Sequence, residues 1–246
     1  MEAKAALRRD QLERRRRDNL IASAVTVGAI VLAAVLQSTV FASNPTAAEY
    51  AAAQAGLETP SPSPSPSVPN APHIPAPDTA AGRTFTGQLV LNGQPLGIEL
   101  DGNAAPQAAA VFKSLADAGT LTGRPCHRLT TATSFGVLQC GALDLTGTPE
   151  SDYSWGPVEN APADGVYPAG TIAVARKGND AYSNGQQFFI VYRDTTIPSD
   201  SAGGYSVVGR VTSGLEAVQQ FAAAGTSAGE DGPPVTPVTI DSLTVN

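Results

Sequence analysis

Residues 43–83 hold almost nothing from which a protein core could be built: Ala, Pro and Ser dominate, and the stretch includes the alternating run Pro60-Ser61-Pro62-Ser63-Pro64-Ser65-Pro66-Ser67. Such a segment has too little apolar surface to offset the entropy of ordering it, and its prolines favour an extended polyproline II form. It therefore divides the chain into a short N-terminal head and a C-terminal body, and a sizeable core is expected only within residues 84–246. At about 3.1 Å per residue when fully extended, some forty residues reach on the order of 100 Å, so the stretch reads as a spacer. A ligand for Pro-rich-binding modules is the other reading, but those readers act mostly inside the cell.

The head explains why a long spacer would be useful. Residues 1–19 carry seven basic and four acidic side chains, Arg14, Arg15, Arg16 and Arg17 among them, a balance of +3. The rest of the chain carries a balance of −10. An acidic body lacks the clustered positive charge that phosphate binding needs, so nucleic acid is excluded as a partner of the folded part. From Leu20 to Ala48 there is no charged residue at all. A bilayer core requires about 20 apolar residues in a helix, and residues 20–42 suffice. With arginines directly before the run, the positive-inside rule puts residues 1–19 in the cytoplasm and the body outside the membrane. Cleavage after the small-residue site Val40-Phe41-Ala42 is the alternative, giving a secreted protein, although the run exceeds the usual signal-peptide core of roughly 7 to 15 residues.

Within the body, Thr84 to Leu91 alternates polar and apolar residues, Asn92-Gly93 signals a tight turn, and Gln94 to Leu100 returns as the second arm of a hairpin. Pro106 to Ala118 reads as a helix with Ala110, Val111, Lys113, Ser114 and Leu115 on its buried face, stopped at Gly119. Strand-like runs recur at Cys126 to Leu129, Phe135 to Gln139, Gly170 to Ala175, Gln187 to Tyr192, Tyr205 to Val211 and Val235 to Val245, with a second helix at Leu215 to Ala224. Many short strands with two isolated helices suggest a closed antiparallel barrel. Only two cysteines occur, Cys126 and Cys140. In an exported protein such a pair reads as a disulfide, whereas a metal site wants four ligands and the chain offers just two histidines.

Four segments carry the chemistry: Cys126-His127-Arg128-Leu129, Gly170-Thr171-Ile172-Ala173-Val174-Ala175-Arg176, Ser183-Asn184-Gly185-Gln186-Gln187-Phe188-Phe189-Ile190 and Val207-Val208-Gly209-Arg210-Val211. In this order and at this spacing they resemble the cyclophilins over roughly residues 84–246. The resemblance implies a closed eight-stranded antiparallel barrel capped by two helices, and peptidyl-prolyl cis-trans isomerase activity. It also places Cys126 at the start of one strand and Cys140 at the end of the next, facing each other across a hairpin. A bridge there would close a loop of about 15 residues, which the chain-entropy estimate values at up to about 3 kcal/mol.

The same resemblance distributes the roles. Arg128 matches the catalytic arginine that donates toward the prolyl nitrogen, and Gln139 the glutamine that positions it. Phe189 matches the floor of the proline pocket, while strand alternation sends Phe188 to the opposite face. Gln187 corresponds to a contact with substrate backbone, Ala175 and the main chain of Arg176 to the edge along which the peptide lies, and Tyr205 to a rim position. Val137 is expected on the pocket wall. Family members typically have Phe-Met-x-Gln where this chain has Phe135-Gly136-Val137-Leu138-Gln139, so Gly136 aligns with the pocket phenylalanine, and only a bulge or slip would let Phe135 replace it. The loop's aromatic-leucine pair corresponds to Ile197-Pro198. One pocket wall is thus expected to be thin, and activity reduced or altered.

No cofactor or metal is expected, because rotation about an amide needs neither. A hydrolytic triad around His127 with Ser134 or Ser183 is excluded by the absence of a Gly-x-Ser-x-Gly elbow. Trp155 is read as packing a loop against the barrel, and Glu159 and Asp164 as loop carboxylates. The expectation is a monomer whose partners are proline-containing polypeptides, with the membrane engaged through the N-terminal helix. A non-catalytic module of the same fold that only binds proline segments is the alternative, and an envelope protein whose barrel merely packs against neighbours is a third.

Overall fold

The computed structural model describes residues 70–246. The expected basic segment, the membrane-spanning helix at 20–42 and most of the spacer lie outside the described residues. Among the described residues no helix is long and apolar enough to cross a membrane.

The strands are β1 (Thr84–Leu91), β2 (Gln94–Asp101), β3 (Pro125–Thr130), β4 (Val137–Cys140), β5 (Val166–Tyr167), β6 (Thr171–Val174), β7 (Phe188–Val191), β8 (Thr195–Thr196), β9 (Val207–Ser213), β10 (Asp231–Gly232) and β11 (Val238–Val245). Helix α1 spans Pro106–Asp117 and α2 Leu215–Ala223. Eight strands close a ring in the order β3-β11-β1-β2-β9-β6-β7-β4, with β4 pairing back onto β3, all antiparallel. The short β10 adds to β3, and β5 and β8 form a separate ribbon. The β1–β2 hairpin turns at Asn92 (φ 48) and Gly93 (φ 75), the left-handed pair that a two-residue turn of matching twist requires.

Alternation sorts the strands into two apolar clusters. Phe188 and Ile190 of β7, Ile172 and Val174 of β6, and Leu138 and Cys140 of β4 join the main core with Leu89, Leu96, Leu129 and Ile240. Helix α1 closes this core: its Phe112 meets Phe188 edge-on at 5.7 Å between ring centroids. Phe189 and Val191, Ala173 and Val137 point the other way, into a second cluster with Tyr167. Strands β4, β6 and β7 are thus largely buried on both faces, and loops cover the second one.

Three expectations are corrected here. Residues 70–83, assigned to the spacer, pack against the domain. Asn70 donates to Gln107 Oε1 (2.9 Å), Gln107 Nε2 donates to the Pro75 carbonyl (2.8 Å), and Ala80 is fully buried. Helix α1 is therefore covered on more than one side: Gln107, Ala108, Ala109, Val111 and Phe112 are buried, whereas Lys113 and Ser114, expected inside, lie half-buried and exposed. The third correction concerns β4, which begins at Val137 instead of Phe135.

The N-terminus of α1 has no side-chain cap of its own, because Ala105 precedes it. Glu159 supplies one from a distant loop, accepting from the Gln107 and Ala108 amides at 3.1 and 2.9 Å. Two of the helix's orphan amides are satisfied this way. Burial pushes the Glu159 carboxyl up, outweighing the downward pull of those amides. Asp164 is a loop carboxylate as expected, accepting from the Val166 amide. Trp155 is fully buried, its indole donating to the Gly185 carbonyl at 3.0 Å.

Candidate active site

Arg128, Phe135, Val137, Gln139, Ala175, Arg176, Phe189, Ile197 and Tyr205 surround one open cavity of ≈ 210 Å³. They come from β3, the turn before β4, β4, β7 and the loops after β6 and β8 or before β9. Gln187 lies beside it, on the wall of an adjoining cavity of ≈ 600 Å³ that shares Gln139, Ala175 and Arg176. All ten residues singled out in the sequence therefore meet in one place.

The floor is aromatic. Phe189 receives Tyr205 edge-on at 5.4 Å and 84°, and Tyr167 at 6.4 Å and 61°. The fully buried Tyr167, which the sequence does not single out, supports the floor from behind without lining the cavity. Its hydroxyl accepts from the Tyr205 amide at 2.8 Å, and burial pushes its own ionisation up. Tyr205 is held on its other side by the Arg176 guanidinium, 4.8 Å from the ring centroid.

Arg176 is committed to this support. Its side chain is 1% exposed and donates to Asp200 through two nitrogens at 2.9 and 3.0 Å, and to the carbonyls of Lys177, Gly203 and Gly204. These hydrogen bonds hold the Asp200 carboxyl well below the usual carboxylate range. Arg176 thus fixes the loop that carries Tyr205, and its side chain is engaged within the protein.

Phe135 fills the wall that the alignment left to Gly136. Because β4 starts only at Val137, the strict alternation of a strand does not apply at 135 and 136. Phe135 sits in a tight turn, its amide bonded to the Ala132 carbonyl at 3.0 Å, and its ring reaches the cavity. The thin wall expected from the sequence is absent. Gly136 instead makes room for a neighbour, since a Cβ there would collide with the Arg193 side chain lying across it.

Opposite the aromatic floor stands Arg128. Its Nε and Nη2 donate to the two carboxylate oxygens of Asp231 at 2.8 and 2.7 Å, and its Nη1 to Gln139 Oε1 at 3.4 Å. The guanidinium lies over Phe135, 5.6 Å from the centroid. Gln139 Nε2 donates in turn to Gln187 Oε1 (2.9 Å), and Gln187 Nε2 to the Gly147 carbonyl (3.0 Å). The hydrogen bond to Asp231 raises the Arg128 pKa further, and the same contact lowers that of Asp231. Asp231 is invisible in the sequence, where a lone aspartate in a Gly-rich loop carries no signal.

The neighbouring positions add rigidity. Cys126 and Cys140, directly paired across β3 and β4 and both fully buried, are joined in a disulfide. His127 is pushed down by burial and by the Arg128 charge, partly offset by Asp144, so it is neutral near pH 7 and its Nδ1 has no hydrogen-bond partner. Among the described residues no group of three or more His, Cys, Asp or Glu is arranged to hold a metal ion.

The family model described as cyclophilin type peptidyl-prolyl cis-trans isomerase/CLD matches residues 88–245. The probable peptidyl-prolyl cis-trans isomerase B of Mycobacterium leprae is 36% identical over 172 residues, 65% of this chain and 56% of that protein. Its counterpart in Mycobacterium tuberculosis is 38% identical over 169 residues, 63% of this chain and 52% of that protein. The chain thus spans about half the length of these curated relatives. Peptidyl-prolyl cis-trans isomerase B of Bacillus subtilis is 35% identical over 133 residues, 53% of this chain and 86% of that protein. A crystal structure of a Cryptosporidium parvum cyclophilin type peptidyl-prolyl cis-trans isomerase superposes with a TM-score of 0.54 at 23% identity, covering 67% of this chain and 98% of that one. A second structure of that protein, obtained in the presence of the dipeptide Ala-Pro, gives 0.53 at 22% identity, over 65% and 98%. At these identities the likeness is one of fold.

Proposed function

We propose that this chain, which belongs to the cyclophilin-type peptidyl-prolyl cis-trans isomerase family, accelerates rotation about X-Pro bonds in polypeptides outside the cytoplasmic membrane. The observation that carries the reading is the cavity itself: an apolar seat of Phe135, Val137, Phe189 and Ile197 faced by the Arg128 guanidinium.

Amide resonance sets a barrier of about 18 to 20 kcal/mol, and the unaided exchange takes tens to hundreds of seconds. As the bond twists, the prolyl nitrogen loses conjugation and its lone pair becomes a hydrogen-bond acceptor. Phe189 and Phe135 seat the pyrrolidine ring while the N-terminal side of the bond rotates, and Arg128 donates to the nitrogen. This hydrogen bond is made only in the twisted state, so it lowers the barrier instead of merely tightening binding. Each 1.4 kcal/mol gained is worth about tenfold in rate. Gln187 and the backbone at Ala175 and Arg176 hold the flanking peptide, while Gln139 links Arg128 to Gln187.

The missing phenylalanine at 136 would favour non-catalytic binding, and Phe135 supplies that ring. The location outside the membrane is supported by the arginines followed by the uncharged run at 20–48 and by the disulfide, which persists in oxidising compartments. The test is the cis-trans exchange rate of an Ala-Pro peptide measured by NMR with the full chain, wild type beside Arg128→Ala. Acceleration by the wild type and at least a tenfold loss in a folded variant are expected. Peptide binding without acceleration would make this a proline-recognition module.

A further inference from the structure

We infer that Asp231 is a positioning residue of the isomerase: it orients the Arg128 guanidinium so that the edge left unpaired faces the proline seat. The inference rests on the proposed isomerase reading, and concerns what holds the donor in place.

An arginine has four side-chain torsions, and at the mouth of an open cavity it would sample many of them. Here Arg128 keeps 37% side-chain exposure, so burial alone does not fix it. Gln139 accepts at 3.4 Å, near the outer limit of a hydrogen bond, and is neutral. Asp231 accepts two bonds at 2.7 and 2.8 Å from the parallel N–H groups of Nε and Nη2. Such paired, charge-assisted bonds are about twice as strong as neutral ones and define a plane as well as a distance. Asp231 is therefore the dominant tether.

The bonding pattern also selects which donors remain. A guanidinium has five N–H bonds. Asp231 takes the two along the Nε–Nη2 edge and Gln139 takes one on Nη1. Two are left, one on each terminal nitrogen. Phe135 lies against one face of the group, so the plane is set and the remaining donors are directed along it. Without Asp231 the strong Nε–Nη2 edge would itself be open to solvent or to a substrate carbonyl, an orientation with a different donor presented.

Asp231 is able to do this because its backbone is pinned. Strand β10 pairs with β3 in the register Asp231↔Thr130 and Gly232↔Leu129, and the Thr131 amide donates to the Glu230 carbonyl at 2.8 Å. Arg128 is two residues from Thr130, on the same side of β3, so Asp231 and Arg128 are diagonal neighbours across a short ladder, within reach of long side chains. The loop between α2 and β11 thus reaches back to hold the arginine 103 positions earlier in the chain. The side chains of this pair are 37% and 54% exposed, and exposed ion pairs contribute little to stability. A purely structural role is therefore a poor account of its geometry.

The test measures exchange of an Ala-Pro peptide with the full chain carrying Asp231→Asn, Arg128→Ala, or both, alongside the Arg128 Nε–Hε resonance. Asp231→Asn is expected to lower kcat about tenfold with KM within about twofold, the signature of an interaction used in the transition state. Its Nε–Hε proton should exchange with water faster than in wild type. In the Arg128→Ala background Asp231→Asn should have no further effect, since residues acting through one another are not additive. Unchanged kcat in an otherwise active protein, an unchanged Nε–Hε signal, or a full additive loss in the double variant would each overturn the assignment. A wild type that does not accelerate exchange would overturn the isomerase reading itself, and this inference with it.

Discussion

The Phe135 ring lies beneath the Arg128 guanidinium at 5.6 Å, although the strand that forms the cavity wall begins two residues later at Val137. A turn, instead of a strand, delivers the aromatic group, and Gly136 is left to accommodate Arg193. Phe135→Ala should therefore lower kcat/KM for an Ala-Pro peptide by roughly tenfold, about 1.4 kcal/mol, through loss of a pocket wall. Gly136→Phe, which would restore the usual family residue, should instead destabilise the domain by displacing Arg193. A Gly136→Phe variant with wild-type melting temperature and improved activity would show that the wall belongs to position 136.

Gln139 links two parts of the site, accepting from Arg128 at 3.4 Å and donating to Gln187 at 2.9 Å. The first of these is long, so its removal should matter less than removal of the arginine itself. Gln139→Ala is expected to reduce kcat/KM by about threefold, near 0.7 kcal/mol, against at least tenfold for Arg128→Ala. Steady-state exchange measurements on both variants decide the order, and a larger loss for Gln139→Ala would make the glutamine a direct contact of the twisted bond.

Much of this is legible in the chain. Period-two alternation and the Asn92-Gly93 turn place the first hairpin, and the Phe188-Phe189 pair divides between core and pocket as strand geometry demands. What is not legible has a common cause: it depends on contacts far apart in sequence. Asp231 meets Arg128 only because β10 pairs with β3, and Glu159 caps α1 from a loop more than fifty residues on. Residues 70–83 look like spacer by composition, yet they cover a helix face that periodicity alone assigns to solvent. Phe135 is legible in the sequence only on condition of a bulge or slip, and for a local reason, since alternation does not extend through a segment that is a turn.

The charge state of the site has a definite pH dependence. The mutual hydrogen bonds hold Arg128 above its ordinary value and Asp231 below the usual carboxylate value of about 4, so neither changes charge near neutrality. His127, lowered by burial from 6.5, is already neutral at pH 7. The rate should therefore be constant within about twofold between about pH 6.5 and 8.5. Stability behaves differently on the acid side: with the folded value depressed, the unfolded chain takes up the proton first, so His127 costs stability as pH falls through 6.5 toward its folded value. A rate transition centred near pH 7 would contradict this and implicate a group with an ordinary imidazole pKa.

Glu159 provides a stability test well separated from the cavity. Its carboxylate accepts from two amides at the start of α1, and Glu159→Ala leaves both without that partner at a helix end where Ala105 offers no substitute. A loss of about 1 to 2 kcal/mol is expected, the usual cost of removing a helix cap, which for a domain of this size lowers the melting temperature by roughly 2–4 °C per kcal/mol. Because burial raises the folded pKa of this carboxyl, the folded state binds its proton more tightly than the unfolded chain does. Its contribution is then fully present below the unfolded value of about 4.3 and declines as pH rises through the folded one. The difference between wild type and Glu159→Ala in urea unfolding should accordingly be larger at pH 4 than at pH 7. A difference that grows with pH would mean that the two amides outweigh burial and that the carboxylate is held in its charged form.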